Sequence, residues 1–439
     1  MFRYYVKLGL LSIRANPALS ALMVAAIAIG IGACMTIVTV YYIMSGNPIE
    51  HRSDVLFHVQ VDSWSPTEPY DEPNEPPEQL TYLDATALHQ AGRADRQLIM
   101  FRASHVIEPE GEDARAFQTS SRVTTADFFP MFDVPFLYGT GWDGNSDRTL
   151  ERVVVLTRRL NEQLFGGEDS TGRSLTLNGR SFRIVGVLDE WQPVPLFYDL
   201  NNNPYEEVEA LFVPFSVAIA DETGSDGNTN CWKPVPDGGR EAFLGSECIW
   251  IQMWVELGSE ARQREYLQFL DAYVEQQKAL GRFPRPLNNR LPDVEEWMEI
   301  NEVVEEDVSV LLGLAVLFLI VCLLNTIGLL LAKVMRRAKD ISLRRALGAS
   351  RRALFSQYLI EAGMIGVAGG VFGIGLTWLG LRGIENLFSV YDFIERLVRM
   401  DWVMVSFAVA LAVVSALGAA LYPTWRACRI TPAAELRIQ

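Results

Sequence analysis

The stretch KVMRRAKDISLRRALGASRR, residues 333–352, carries eight Lys/Arg against a single acid, Asp340, and long apolar runs flank it on both sides. Short, strongly basic loops between membrane spans stay in the cytoplasm, so this loop orients everything around it. Working outward, residues 308–332 before it are uncharged, and residues 353–381 after it hold one charge, Glu361. Each is long enough for a tilted span, which needs about 20 apolar residues.

Two further runs have the same character. Residues 18–44 contain no charge, and residues 402–425 close the apolar part of the chain. Arg3, Lys7 and Arg14 precede the first run; Arg426, Arg429 and Arg437 follow the last. Three basic segments on one side give four spans with both termini in the cytoplasm. A cleaved signal peptide would have a shorter apolar core and an evident end. IGAC at 31–34 resembles a lipoprotein cleavage box, but apolar sequence continues ten residues past Cys34. A retained span is expected, preceded over residues 1–17 by an amphipathic helix on an anionic leaflet that ends before Pro17.

The formal charge of −16 over 439 residues hides a division. Residues 45–306 hold 46 acids and 21 bases, net −25, whereas the remainder is net +9. The acidic block is large enough for a folded domain. It alternates strand and helix patterns: strands at 58–61, 96–107, 153–156 and 250–256, helices at 82–90, 126–132, 157–165 and 259–280. A hairpin at 174–187 turns at Asn178-Gly179. Residues 63–78 are a Pro- and acid-rich loop, and residues 189–247 read as irregular. The mixed order suggests two α+β subdomains, the second inserted in the first. From residue 293 a helical pattern with Val294, Trp297, Met298, Val304 and Val308 predicts one continuous acidic stalk running into the second span.

The fold class expected is therefore a membrane protein: four transmembrane α-helices with a large α+β extracytoplasmic domain of two subdomains between the first and second spans. Its segments are an interfacial helix 1–17, span 18–44, extracytoplasmic domain 45–292, stalk and span 293–332, basic loop 333–352, span 353–381, external loop 382–401, span 402–425 and tail 426–439.

Signs of catalysis are missing. No Gly-Lys dipeptide exists for a Walker-type phosphate loop, and no Gly-x-Ser-x-Gly elbow stands out. His51, His58, His89 and His105 lack metal-ligand spacing and read as solvated loop or strand histidines. Glu361, inside a span, reads as a functional intramembrane acid or as one paired with a nearby arginine. Cys34, Cys322 and Cys428 lie in or beside spans as small apolar fillers. Cys231 and Cys248, alone in the acidic block, are disulfide candidates in an oxidising compartment; two free buried thiols are the alternative.

In the third span Gly363, Gly366, Gly369, Gly370 and Gly373 form overlapping small-xxx-small pairs that let helices approach closely. Within the basic loop, residues 339–347 suit a short helix with Leu343, Ala346 and Leu347 on one side. Gly348 fits its C-terminal cap and Ser350 the N-cap of the next helix. Arg344 and Arg345 then sit in a last turn, which favours cations. Arg351 and Arg352 sit in a first turn and are assigned to lipid headgroups and topology. The loop is either a docking element or only a charge anchor.

DISLRRALGAS (340–350) with the glycine-rich third span, and YPTWRACRITPAAELR (422–437), resemble the MacB/FtsX-like permeases of ABC transporters, of the mechanotransmission type. In the acidic block VTTADFF (123–129), FLYG (136–139), LFGG (164–167), TGR (171–173) and NGRSFRIVGV (178–187) are similar to the MacB-type periplasmic core. Ser342 departs from the pattern, where glycine is usual, as does the irregular 189–247 stretch. The resemblance implies a non-catalytic permease subunit of the bacterial inner membrane that binds no cofactor or metal itself, with ATP and Mg on a separate ATPase subunit. That partner would dock on Lys339, Asp340, Ile341, Leu343, Arg344, Arg345, Ala346, Leu347 and Gly348. It also implies a second permease, in a homo- or heterodimer that the glycine-rich faces would suit, and a periplasmic adaptor with an outer-membrane channel, but no nucleic acid. Export or efflux is the implied role, with lipoprotein extraction or regulation of a cell-wall hydrolase as alternatives.

Overall fold

The alternation of charged and uncharged blocks reappears in a computed structural model that describes residues 2–109, 115–304, 306–387 and 402–428. Two compact units emerge: residues 1–45 with 304–439, and residues 46–303.

In the first unit, α1 (Phe2–Ala15) ends at Asn16, and Pro17 occupies the first turn of α2 (Pro17–Met44). Proline suits that position because its missing N–H would be unsatisfied there anyway. Four helices are long and apolar enough to cross a membrane, within Pro17–Met44, Val308–Arg336, Arg351–Gly383 and Val405–Arg426. Met23, Ile27 and Ile31 of the first span form a core with Leu319, Ile365, Ala412 and Ala416 of the others. The external loop lies outside the described residues beyond residue 387, and the tail does so from residue 429.

The second unit is built on strands β1 (Leu56–His58), β2 (Leu80–Thr81), β3 (Arg96–Glu108), β4 (Phe117–Thr124), β5 (Phe136–Gly139), β6 (Val153–Leu156), β7 (Ser174–Leu177), β8 (Arg180–Leu188), β9 (Leu211–Pro214), β10 (Asn230–Cys231) and β11 (Cys248–Glu256). Helices α3 (Tyr82–Ala91), α4 (Phe128–Met131), α5 (Gly144–Thr149), α6 (Arg158–Phe165), α7 (Phe215–Ala220), α8 (Gly239–Leu244), α9 (Glu260–Ala279) and α10 (Val294–Ile300) connect or cover them. The strands form one eleven-stranded sheet in the order β1-β11-β3-β4-β9-β6-β8-β5, and β7 bonds both β8 and β3. The ring β3-β4-β9-β6-β8-β7 is thereby closed. The β7–β8 hairpin turns at Asn178 (φ 49°) and Gly179 (φ 74°), the two positive φ values a two-residue turn of this type needs.

Strand alternation makes two cores. Ile99 and Phe101 of β3, Val154 and Leu156 of β6, and Met253 and Val255 of β11 face one side, where α9 contributes Tyr266, Leu270 and Val274. Leu98, Met100, Val153, Val155 and Trp254 face the other, with Phe128, Phe132, Tyr198 and Trp297. The period of two carries this division.

Residues 46–303 make one compact unit on one sheet, in which β3 is long enough to pair with β11, β4 and β7 in succession. Two expectations change. The stretch 189–247 contains β9, α7, β10 and α8. Its first part is pinned by Arg122, fully buried, which donates to Asp199 and Glu209 and lies 5.2 Å from the Tyr198 ring centroid. Finally, the stalk is not one helix. Asp293 and Glu296 form a capping box that starts α10, which ends at Ile300. Asn301 Nδ2 then donates to Trp297 O, 2.7 Å away, Glu302 takes φ 46°, and Val303 is buried in the second core. The next helix, α11 (Glu306–Arg336), starts afresh.

Candidate functional site

The basic stretch folds as the end of α11, a short helix α12 (Ala338–Ala346), and the start of α13 (Arg351–Leu387). Its boundaries come from local chemistry. Gly348 has φ 98°; its N–H donates to Arg345 O at 3.1 Å and Ala349 N–H donates to Arg344 O at 3.0 Å. This paired motif satisfies the last carbonyls of α12 with glycine in the left-handed position. Ser350 Oγ then accepts from Ala353 N–H at 3.2 Å, capping α13.

Exposure divides the sequence-picked residues. Leu343 and Leu347 are 55% and 80% exposed, and Asp340, Arg344, Ala346 and Gly348 are exposed beside them. Ile341 differs: only 2% exposed, it packs with Val334 and Leu354 and belongs to the internal face. Ser342 is buried too, which is why a small residue suits that position. Lys339 lies in α12, with its side chain outside the described part.

Behind the loop lies an ion network that crosses four helices. Lys333 Nζ is 2.5 Å from Glu361 Oε1, both side chains being nearly fully buried, and it also donates to Ser20 Oγ at 3.1 Å. Ser12 Oγ donates to the same Glu361 oxygen at 2.6 Å and accepts from Arg337 Nη1 at 2.6 Å. Among the described residues the carboxylate's charged partner is a lysine, and an arginine joins through Ser12. Two charges in a dry environment persist only when each holds a partner. The network therefore fixes α1, α2, α11 and α13 together at the root of α12.

The third-span glycines serve two faces of α13. A Cβ on Gly366 would come within 2.6 Å of Ala416, and one on Gly370 within 2.9 Å of Ala412, on the last described helix, α14 (Trp402–Cys428). A Cβ on Gly369 would meet Ile27 at 2.6 Å, and one on Gly373 would meet Ile31 at 3.0 Å, on α2. At Gly363 a methyl would find ordinary contact, 3.7 Å from Leu417. These faces are occupied within the chain, so they give no argument for a dimer.

In the second unit Cys231 and Cys248 form a disulfide between directly paired positions of β10 and β11. No group of His, Cys, Asp and Glu able to hold a metal occurs among the described residues.

Residues 20–265, more than half of the chain, match the MacB-like periplasmic core domain, and residues 312–432 match the FtsX-like permease C-terminal family. Among similar curated proteins is an uncharacterized ABC transporter permease, YvrN, of Bacillus subtilis (strain 168). It is 25% identical over 318 residues, covering 71% of this chain and 68% of that one. The macrolide export ATP-binding/permease protein MacB of Wolinella succinogenes is 24% identical over 320 residues, covering 72% of this chain but 43% of that one. MacB of Syntrophobacter fumaroxidans is 24% identical over 344 residues, covering 72% and 47%. The chain thus spans less than half the length of these MacB proteins. Among solved structures, the periplasmic region of MacB from Actinobacillus actinomycetemcomitans aligns with a TM-score of 0.38 at 13% identity, over 58% of this chain and 95% of that one.

Proposed function

We infer the function from one premise: the chain belongs to the MacB/FtsX-like family of ABC transporter permeases. It acts as a permease subunit of the bacterial inner membrane that binds no nucleotide itself and takes its power stroke from a separate ABC ATPase subunit carrying ATP and Mg. The observation that carries this reading is α12, whose Leu343 and Leu347 project from a basic helix with no partner surface to cover them among the described residues. An exposed leucine pair ringed by arginines suits a docking contact better than a charge anchor, which needs no apolar side chains.

Closure of the paired ATPases would move α12, and the ion network at its root would pass that motion to α11 and α2, between which the extracytoplasmic domain is inserted. Cargo would be handled outside the membrane and exported, by mechanotransmission. A second permease, identical or different, follows from the family, and a periplasmic adaptor and outer-membrane channel would complete an efflux path. Affinity purification of the tagged chain from native membranes tests this. An ABC ATPase should co-purify, and an adaptor would mark export. A lipoprotein in the adaptor's place would mark extraction, and a cell-wall hydrolase would mark regulation. Absence of any ATPase would overturn the reading.

A further inference from the structure

Beside α12 lies a cavity of about 260 Å³ that docking on Leu343 and Leu347 does not use. Arg337 and Arg344 line it from the basic loop, Gln357 and Tyr358 from α13, and Leu8 and Leu11 from α1. Arg337 spends its Nη groups on Ser12, donating to the hydroxyl at 2.6 Å and to the carbonyl at 3.3 Å. Arg344 Nη1 donates to Gln357 Oε1 at 3.3 Å. Both guanidiniums keep further N–H donors, and neither has a carboxylate within ion-pair distance among the described residues. One acid, Asp340, also lines the cavity, so two fixed positive charges meet one negative.

We propose that this cavity binds a phosphate-bearing anion, and specifically the headgroup of an anionic phospholipid. Two guanidiniums converging with a phenol and an amide suit a tetrahedral oxyanion, whose oxygens accept from several directions. The volume exceeds what a bare phosphate fills. The apolar wall decides between a free ion and a lipid. Leu11 is 55% exposed, and Gln357 and Tyr358 lie about two turns inside the candidate span that begins at Arg351. A site at that depth opens onto acyl chains as well as water. Exposed Arg3 and Lys7 on α1 add attraction toward an anionic leaflet. A bound headgroup would brace α12 against α1 and α13.

The test uses the purified full-length chain without any ATPase, so its outcome is independent of the docking reading. Native mass spectrometry would follow retention of dioleoylphosphatidylglycerol and dioleoylphosphatidylcholine. One phosphatidylglycerol should be retained in preference to phosphatidylcholine, with millimolar inorganic phosphate unable to displace it. Arg344→Gln should weaken that retention about fivefold, whereas Arg336→Gln, in the same basic stretch and exposed but not lining the cavity, should not. Arg344 is exposed, so its variant should match the wild-type unfolding midpoint; Arg337, which holds α1, is a poorer choice. Equal retention by wild type and Arg344→Gln, or equal loss in Arg336→Gln, would overturn the site. Displacement by inorganic phosphate would overturn the lipid assignment.

Discussion

Glu361 sits among apolar helices with one oxygen held by Lys333 and Ser12 and the other buried without a partner among the described residues. Removing Lys333 would leave that carboxylate uncompensated, which costs about 3–5 kcal/mol, while replacing both partners with apolar groups is often nearly neutral. Lys333→Met should therefore lower the unfolding midpoint in detergent strongly, and adding Glu361→Leu should restore most of it; equal loss in the single and double variants would refute the pairing. Glu361 was visible in the sequence as an intramembrane acid. Its partner was not, because Lys333 reads as one more topogenic base on the far side of the loop. His58 is a second residue whose role only packing reveals. It is fully buried, stacked 3.7 Å from the Trp297 centroid, with neither ring nitrogen partnered among the described residues, and burial lowers its pKa from 6.5 to about 3. Between those values the unfolded chain binds a proton that the folded one does not. Stability should then be full above about pH 6.5 and fall on acidification by up to about 1.4 kcal/mol per pH unit. His58→Phe should flatten that slope in pH-dependent denaturation; an unchanged slope would assign it to other groups.

At the scale of elements, the N-cap of α13 and the C-terminal cap of α12 were legible because Ser350 and Gly348 make hydrogen bonds within their own local backbone. Its exposed face was partly so: Leu343, Ala346 and Leu347 do point outward, while Ile341 turns in, since its neighbours Val334 and Leu354 are set by how three helices meet. The stalk shows the opposite failure. Glu295, Glu296, Glu299 and Glu302 keep helical spacing with no Gly or Pro to mark an end. The break comes from tertiary burial of Val303 and the hydrogen bond from Tyr205 Oη to Val303 O. Docking through α12 makes its own prediction. Leu343→Asp or Leu347→Asp puts a carboxylate where the ATPase would bury it, a cost of at least about 2 kcal/mol, or more than tenfold in affinity. Both positions are exposed in the chain alone, so the variants should insert normally and yet lose the ATPase in co-purification. Retention of the partner by both would reduce the loop to a charge anchor.

For the whole molecule, the decisive division is electrostatic. A net −25 block and a net +9 remainder coincide with the two compact units, whose boundaries fall at Ser45/Gly46 and Val303/Val304. That much was legible because insertion into a membrane sorts residues by charge over long windows, which averages out local ambiguity. The single sheet was not, since β3 recruits β11 from about 150 residues away and sequence order is silent on such pairing. The charge division also fixes a topology that can be measured. Gly224 has open space where a Cβ would stand, so Gly224→Cys should fold normally and expose its thiol. Leu347→Cys, at an 80% exposed position, should expose its thiol from the basic loop. Cys34 and Cys322 are buried and Cys231–Cys248 is bonded, so in a Cys428→Ser background a membrane-impermeant maleimide reports only the new site. Gly224→Cys should label in intact spheroplasts and Leu347→Cys only after permeabilisation. The reverse pattern would place the acidic domain in the cytoplasm, on the same side as any ATPase, and leave α12 unable to meet it.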